Sequence, residues 1–150
     1  MIYLLSTFSI LCSLIFSEAD HLLLKKVCIQ PTEAEMVVIY NPTSSSISLD
    51  GYYLSDNKDY YEVASDGSTP SSFGGDFLIE LPDISIGSKK EKIISLQTAD
   101  DFSTYYINQT PDLSISDGIY YNDNGPADSL DKLSNTVGGE MIILFKWDGS

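Results

Sequence analysis

The chain has 150 residues, and its 22 acidic residues outnumber eight basic ones, all lysines, giving a formal net charge of -14 at pH 7. This length accommodates one domain with its own core. The charge repels nucleic-acid phosphates and anionic membranes, so neither is expected as a partner. The partners that fit are neutral glycans, neutral or basic protein surfaces, and divalent cations.

The first 19 residues are predicted to be a secretory signal peptide. No charged side chain occurs from Met1 to Ser17, and the apolar run is shorter than a membrane span. Ser17 and Ala19 supply the small residues that a cleavage site needs, although no lysine precedes the run. The alternative is an uncleaved anchor. We expect a secreted, cell-surface or periplasmic protein whose mature domain is 20–150, with no membrane insertion after signal removal.

From residue 22 onward, short runs rich in β-branched and aromatic residues alternate with turn residues. Turn signals such as Asn41-Pro42 and Asp50-Gly51 close the runs, which is typical of strands in a β-sandwich or barrel. The predicted strands are 22–29, 35–40, 47–49, 52–56, 60–63, 77–81, 92–97 and 137–147.

One short helix is predicted after residue 97. Thr98 can accept a hydrogen bond from the amide of Asp101, and the positive end of the helix dipole stabilises two aspartates in the first turn. The helix is expected to end before Asn108. Residues 108–135 are mostly turn formers.

The end of the chain predicts an open sheet edge. Asp148-Gly149 is typical of a hairpin turn, but only Ser150 follows it. We therefore expect that the domain lacks its final strand and that the apolar run 141–145 exposes one edge, which favours dimerisation or aggregation. The alternative is that this run pairs only with an earlier strand.

Two parts of the chain carry motifs of one known family. Glu35 opens an apolar strand that ends in Asn41-Pro42, and the segment 49–56 then reads leucine, aspartate, glycine, tyrosine, tyrosine, leucine, serine, aspartate. Later, Gly138-Gly139-Glu140 precedes an apolar run that reaches Asp148-Gly149. Both parts resemble the lamin tail domain family, and the resemblance covers residues 22–149.

The resemblance implies an immunoglobulin-like β-sandwich, and bacterial members of the family are exported, often beside nuclease or phosphoesterase modules. We therefore expect an all-β fold, an immunoglobulin-like β-sandwich with one short helix that lacks its final strand. Val38 stands where the family commonly has glutamate, which predicts that this strand is covered on both faces.

No catalytic site is predicted. Nucleophilic catalysis by serine or cysteine needs a histidine base, and the single histidine, His21, lies in the predicted N-terminal tail. One histidine and Cys28 cannot supply the three or four ligands of a zinc site. Asp100 and Asp101 are neighbours on the predicted helix and point in different directions. The chain is expected not to be an enzyme.

Calcium is the one candidate cofactor. Asp117, Asp123 and Asp128 lie in a loop region rich in oxygen ligands, which suit a hard cation. The EF-hand template does not fit, because aligning Gly125 with its glycine puts Tyr120 at the first ligand position. The alternative is a solvated acidic loop.

The ten tyrosines include four adjacent pairs, and these are the candidate binding residues. Neighbours in a strand face opposite sides, so one ring of each strand pair is expected in the core and one outside. Exposed rings are suitable anchors for glycans or proteins. The candidates are Tyr53, Tyr61, Tyr120 and Tyr121; the alternative is that the rings only cover a sheet face.

The predicted function is a non-enzymatic extracellular recognition or adhesion module of a larger exported protein, with a protein or neutral glycan as its partner. The alternative is an accessory domain of an exported hydrolase of nuclease or phosphoesterase type, whose catalytic region lies beyond residue 150.

Overall fold

The computed structural model describes residues 19–66, 76–114, 117, 119–121, 133 and 141–147. The predicted signal peptide lies outside these residues, apart from Ala19. The described chain is mainly β, with short helices and several small sheets, none of them closed, so the prediction of a β-rich fold is confirmed. Within this part of the chain no helix is long and apolar enough to span a membrane.

The strands and helices are short and follow one another closely. The strands are β1 (Leu23–Cys28), β2 (Met36–Tyr40), β3 (Ile47–Ser48), β4 (Tyr52–Ser55), β5 (Leu78–Glu80), β6 (Ser85–Ile86), β7 (Glu91–Ser95), β8 (Leu113–Ser114), β9 (Ile119–Tyr121) and β10 (Ile143–Lys146). The α-helices are α1 (Tyr61–Asp66) and α2 (Ala99–Tyr105), and 3₁₀ turns occupy Thr32–Ala34 and Lys58–Tyr60.

The first four-stranded sheet has the order β1-β2-β7-β8. β2 pairs antiparallel with β1 and β7, and β8 joins β7 in parallel. Four consecutive residues of β2, from Met36 to Ile39, are buried. The prediction drawn from Val38 is thereby confirmed, because a strand buried at successive positions must be covered on both faces.

The second four-stranded sheet is antiparallel throughout and has the order β10-β4-β5-β9. A two-stranded sheet pairs β3 with β6. β10 therefore pairs with an earlier strand, and among the residues that the structure describes no strand pairs with its other side.

One hydrophobic core contains side chains from all three sheets. Glu35 is fully buried just before β2. Its carboxylate accepts a hydrogen bond from the amide of Leu133, a buried core residue distant in sequence, at 3.0 Å. The buried members of the core are Leu22, Val37, Ile39, Leu49, Tyr52, Leu54, Phe77, Ile79, Leu81, Ile86, Ile94, Leu96, Leu113 and Leu133.

The helix predicted at Thr98 is confirmed, whereas the strand predicted at 60–63 is wrong. The hydroxyl of Thr98 accepts the amide of Asp101 at 3.1 Å at the start of α2. In the second case, Asn57 accepts the amide of Asp59 at 2.8 Å and starts a 3₁₀ turn that leads directly into α1. Tyr60 is thereby placed in a buried position.

Candidate recognition surface

Aromatic side chains gather on the face of the second sheet that is turned away from the core. Alternation along β4 places Tyr52 and Leu54 in the core and Tyr53 on the opposite face. The residues that pack there are called the aromatic cluster: Tyr53, Tyr60, Ala64, Leu78, Phe145 and Trp147.

The centre of the aromatic cluster is a stacked pair of rings. Phe145 on β10 lies directly opposite Tyr53 on β4, and their ring centroids are 5.2 Å apart with planes 14° from parallel. Such pairs stabilise a fold by about 0.5–1.5 kcal/mol beyond the area they bury. Tyr53 is 9% exposed, whereas Phe145 and Trp147 are half-buried.

Acidic groups lie around these rings. Burial raises the pKa of Tyr53, and the carboxylates of Glu80 and Asp50, with a hydrogen bond to Glu80, raise it further. The phenol is therefore neutral at physiological pH, and Glu80 lies directly opposite Tyr53 on β5, beside the cluster. On the core side of β10, the Lys146 ammonium lies 5.4 Å from the centroid of the Tyr52 ring.

The predicted tyrosine anchors have different surroundings. Tyr53 is buried, which corrects the expectation that it is exposed, because Tyr60, Leu78 and Phe145 cover it. Tyr61 is 49% exposed at the start of α1, next to the aromatic cluster in sequence. Tyr120 and Tyr121 pair in register with Ile79 and Leu78 on β5.

The sequence interpretation missed Phe145 and Trp147, which form the exposed part of the aromatic cluster. The signal was present, because alternation in 142–147 separates Phe145 and Trp147 from Ile142 and Leu144. Ile142 and Leu144 pack against the main core, and Phe145 and Trp147 pack on the other face. Without knowledge of the strand that pairs with this segment, the sequence does not show which of these two sets of side chains faces the core.

The calcium prediction is only partly covered by the structure. Asp117 uses its Oδ2 atom to accept the amide and the hydroxyl of Ser114, at 2.6 Å and 3.0 Å. Asp123 and Asp128 lie outside the described residues. Within the described ranges, no three His, Cys, Asp or Glu side chains group as metal ligands would.

Two other polar features lie outside the aromatic cluster. His21 Nδ1 donates to Oδ1 of its exposed neighbour Asp20 at 2.9 Å, and this contact lowers the pKa of Asp20. A shallow depression of about 420 Å³ is lined by three hydroxyl side chains, one carboxylate and no aromatic ring. Its lining residues are Ala19, Asp20, Thr43, Ser44, Ser45 and Ile47.

Comparison with family models, with curated proteins and with solved structures finds no match to this chain. The proposed function therefore depends on the geometry of the chain itself. In the part of the chain that the structure describes, the aromatic cluster places partly buried aromatic residues on the edge strand β10.

Proposed function

We propose that this chain is a non-enzymatic recognition module of an exported protein, located outside the cell, on its surface or in the periplasm. Its fold is proposed to be an immunoglobulin-like β-sandwich of lamin-tail type. Its partner is proposed to be a protein or a neutral glycan that contacts the aromatic cluster.

The sandwich proposal is supported by the way the core is shared. Side chains of β2 and β7 in one four-stranded sheet and of β4 and β5 in the other belong to a single cluster. Two sheets that bury one face each against a common core have the layer arrangement of a sandwich.

The lamin-tail proposal is supported by the contacts of three motif residues. Glu35 accepts the amide of Leu133, Asn41 is fully buried, and Gly51 has a φ of +70° at the turn before β4. Each residue type in the motif thus has a physical reason to occupy its position.

The observation that carries the recognition proposal is the exposure of rings at a sheet edge. Phe145 and Trp147 are only half-buried although they are large and apolar. Tyr61, which follows the cluster residue Tyr60 in sequence, is 49% exposed. Aromatic side chains that expose part of a rigid ring provide contact area at low cost in conformational entropy. A net charge of -14 favours neutral or basic partners for this surface.

The single tryptophan makes the proposal directly testable. We expect saturable changes in Trp147 fluorescence when the full chain is titrated with panels of neutral oligosaccharides and synthetic peptides. Tyr61→Ala should weaken the best ligand several-fold, because hot-spot rings often contribute more than 1 kcal/mol. Tyr105→Ala is the matched control, since Tyr105 is 47% exposed but lies on α2.

A ligand that binds both variants equally would contradict this use of Tyr61. The absence of any saturable response in both panels, or hydrolysis of a ligand that persists after repurification, would contradict the proposed function as a whole.

A further inference from the structure

β10 offers hydrogen-bonding groups along one side. It pairs with β4 on the other side, and no strand among the described residues covers the outer one. An exposed strand edge of this kind is a template for pairing with another extended chain. The residues on both faces of β10 indicate which kind of chain it can take.

The direction of the main-chain groups that point away from β4 follows from two hydrogen bonds. The Trp147 amide donates to the Gly51 carbonyl at 2.8 Å, whereas the Tyr52 carbonyl accepts from Leu81 at 2.9 Å, away from β10. Lys146 and Tyr52 are therefore a non-hydrogen-bonded pair, so the amide and carbonyl of Lys146 point to the open side. Because this pattern repeats every two residues, the amide and carbonyl of Leu144 also point to the open side.

Apolar side chains lie on both faces of β10 next to the open edge, and the Lys146 ammonium lies over the Tyr52 ring on the core side. A strand added about 4.8 Å from β10 would place alternate side chains beside Phe145 on one face and beside Leu144 on the other. Leu144 and Ile142 are half-buried and pack at the margin of the core, so apolar side chains would extend the core there. Phe145, by contrast, is a half-buried residue whose ring stacks on Tyr53 on the β4 side.

The charges on the Phe145 side select a cation. The Glu80 and Asp50 carboxylates both act on Tyr53, the ring stacked on Phe145, and Glu62 is exposed on the adjoining helix α1. A Lys or Arg side chain over an aromatic ring gains about 0.5–1 kcal/mol at an exposed site, and acidic groups within a Debye length add to this. A second copy of this chain, the dimer expected from the sequence, would bring a further charge of -14, so the charges favour a basic partner over a second copy at this edge.

We infer that the open edge of β10 binds an extended segment of a partner protein, in which apolar residues alternate with Lys or Arg, by strand addition. The inference rests on the proposed function and names the partner class for the same surface. Main-chain hydrogen bonds to Leu144 and Lys146 supply affinity, and alternation supplies specificity.

The test uses an eight-residue peptide that alternates valine and arginine, titrated into the full chain with Trp147 fluorescence and calorimetry as readouts. Saturable binding is expected, and a peptide with glutamate in place of arginine should bind at least about tenfold more weakly through charge repulsion. N-methylation of one alternate set of residues should abolish binding, while methylation of the other set is tolerated, since only one set faces β10. The sensitive set is the valines for antiparallel addition and the arginines for parallel addition.

Two variants of one exposed residue separate main-chain from side-chain effects. Lys146→Ala keeps the outward amide and should bind the valine–arginine peptide within about twofold of the original chain. Lys146→Pro removes that amide and should weaken binding about tenfold or more. Proline is tolerated on an edge strand where the amide faces solvent, so the fold should persist. The methylated peptides give the same information without any change to the protein.

Equal binding of both methylated peptides, or equal loss in both Lys146 variants, would overturn strand addition. Dimers that form through β10 in sedimentation runs without peptide would assign the edge to a second copy and also overturn it. If the peptide fails while an oligosaccharide still changes Trp147 fluorescence, this inference fails and the proposed function stands. If no ligand responds, both fail.

Discussion

Replacing Asn41 by alanine is expected to lower the free energy of unfolding by about 3 kcal/mol and Tm by about 10 °C. The Asn41 side chain is fully buried and donates from Nδ2 to the carbonyls of Ser45, Ile86 and Gly87 at 2.7, 2.8 and 3.2 Å. Its Oδ1 accepts the amide and hydroxyl of Thr43 at 2.9 and 2.7 Å. Alanine would remove all five of these hydrogen bonds, of which the one to the Ile86 carbonyl is buried, and a typical intramolecular hydrogen bond contributes about 0.5–1.5 kcal/mol.

Thermal and urea unfolding of Asn41→Ala measures the loss, and two further variants define its cause. Asn41→Asp keeps the acceptor for Thr43 but turns a second oxygen toward three carbonyls, so it should be at least as destabilising. Ser44→Ala, at an exposed position in the same loop, should change stability by less than about 0.5 kcal/mol. An Asn41→Ala variant as stable as Ser44→Ala would show that the loop does not depend on this side chain.

Replacing Gly51 by alanine is expected to cost about 2–4 kcal/mol, concentrated on β10. Gly51 has a φ of +70°, and an added Cβ would lie 2.6 Å from the carbonyl oxygen of Trp147. The amide of Trp147 donates to the carbonyl of the same glycine at 2.8 Å. The added Cβ therefore pushes Trp147 away from the carbonyl of residue 51, to which its amide is bonded. Trp147 should then become more exposed to water, and its emission should shift to the red.

Two glycine variants separate strain from collision. Gly51→Asn tolerates the left-handed backbone better but retains a Cβ, so it should recover only part of the stability. Gly87→Ala is the control, since its Cβ would meet Lys90 Cγ at 3.5 Å, an ordinary contact. Unchanged stability and emission in Gly51→Ala would contradict the close approach of Trp147 to this turn.

Features with local causes could be predicted from the sequence. The α2 helix begins where Thr98 and Asp101 have the spacing of a cap, and β2 follows a run of β-branched residues. Val38, where the family that the motifs resemble commonly has glutamate, correctly predicted a strand covered on both faces, because an apolar residue in place of a charged one favours burial. In each case the deciding residues lie within a few positions of one another.

Features set by distant pairing could not be predicted in the same way. Alternation correctly separated Tyr52 from Tyr53, but the burial of Tyr53 depends on Phe145, 92 positions away, and on Tyr60 beneath α1. The 60–63 segment has the tyrosines and valine of a strand, and the cap at Asn57 overrides that preference. The candidate surface therefore required the strand order, although its residue types were visible in the sequence.

Amide hydrogen exchange along β10 tests the central claim most directly, namely that this strand presents an open, binding edge beside the aromatic cluster. In the free chain, we expect fast exchange at Leu144 and Lys146 and slow exchange at Phe145 and Trp147, whose amides face β4. The valine–arginine peptide should slow the first pair and leave the second unchanged. Protection of Leu144 and Lys146 already in the free, monomeric chain would contradict the account, because another segment would then occupy the edge.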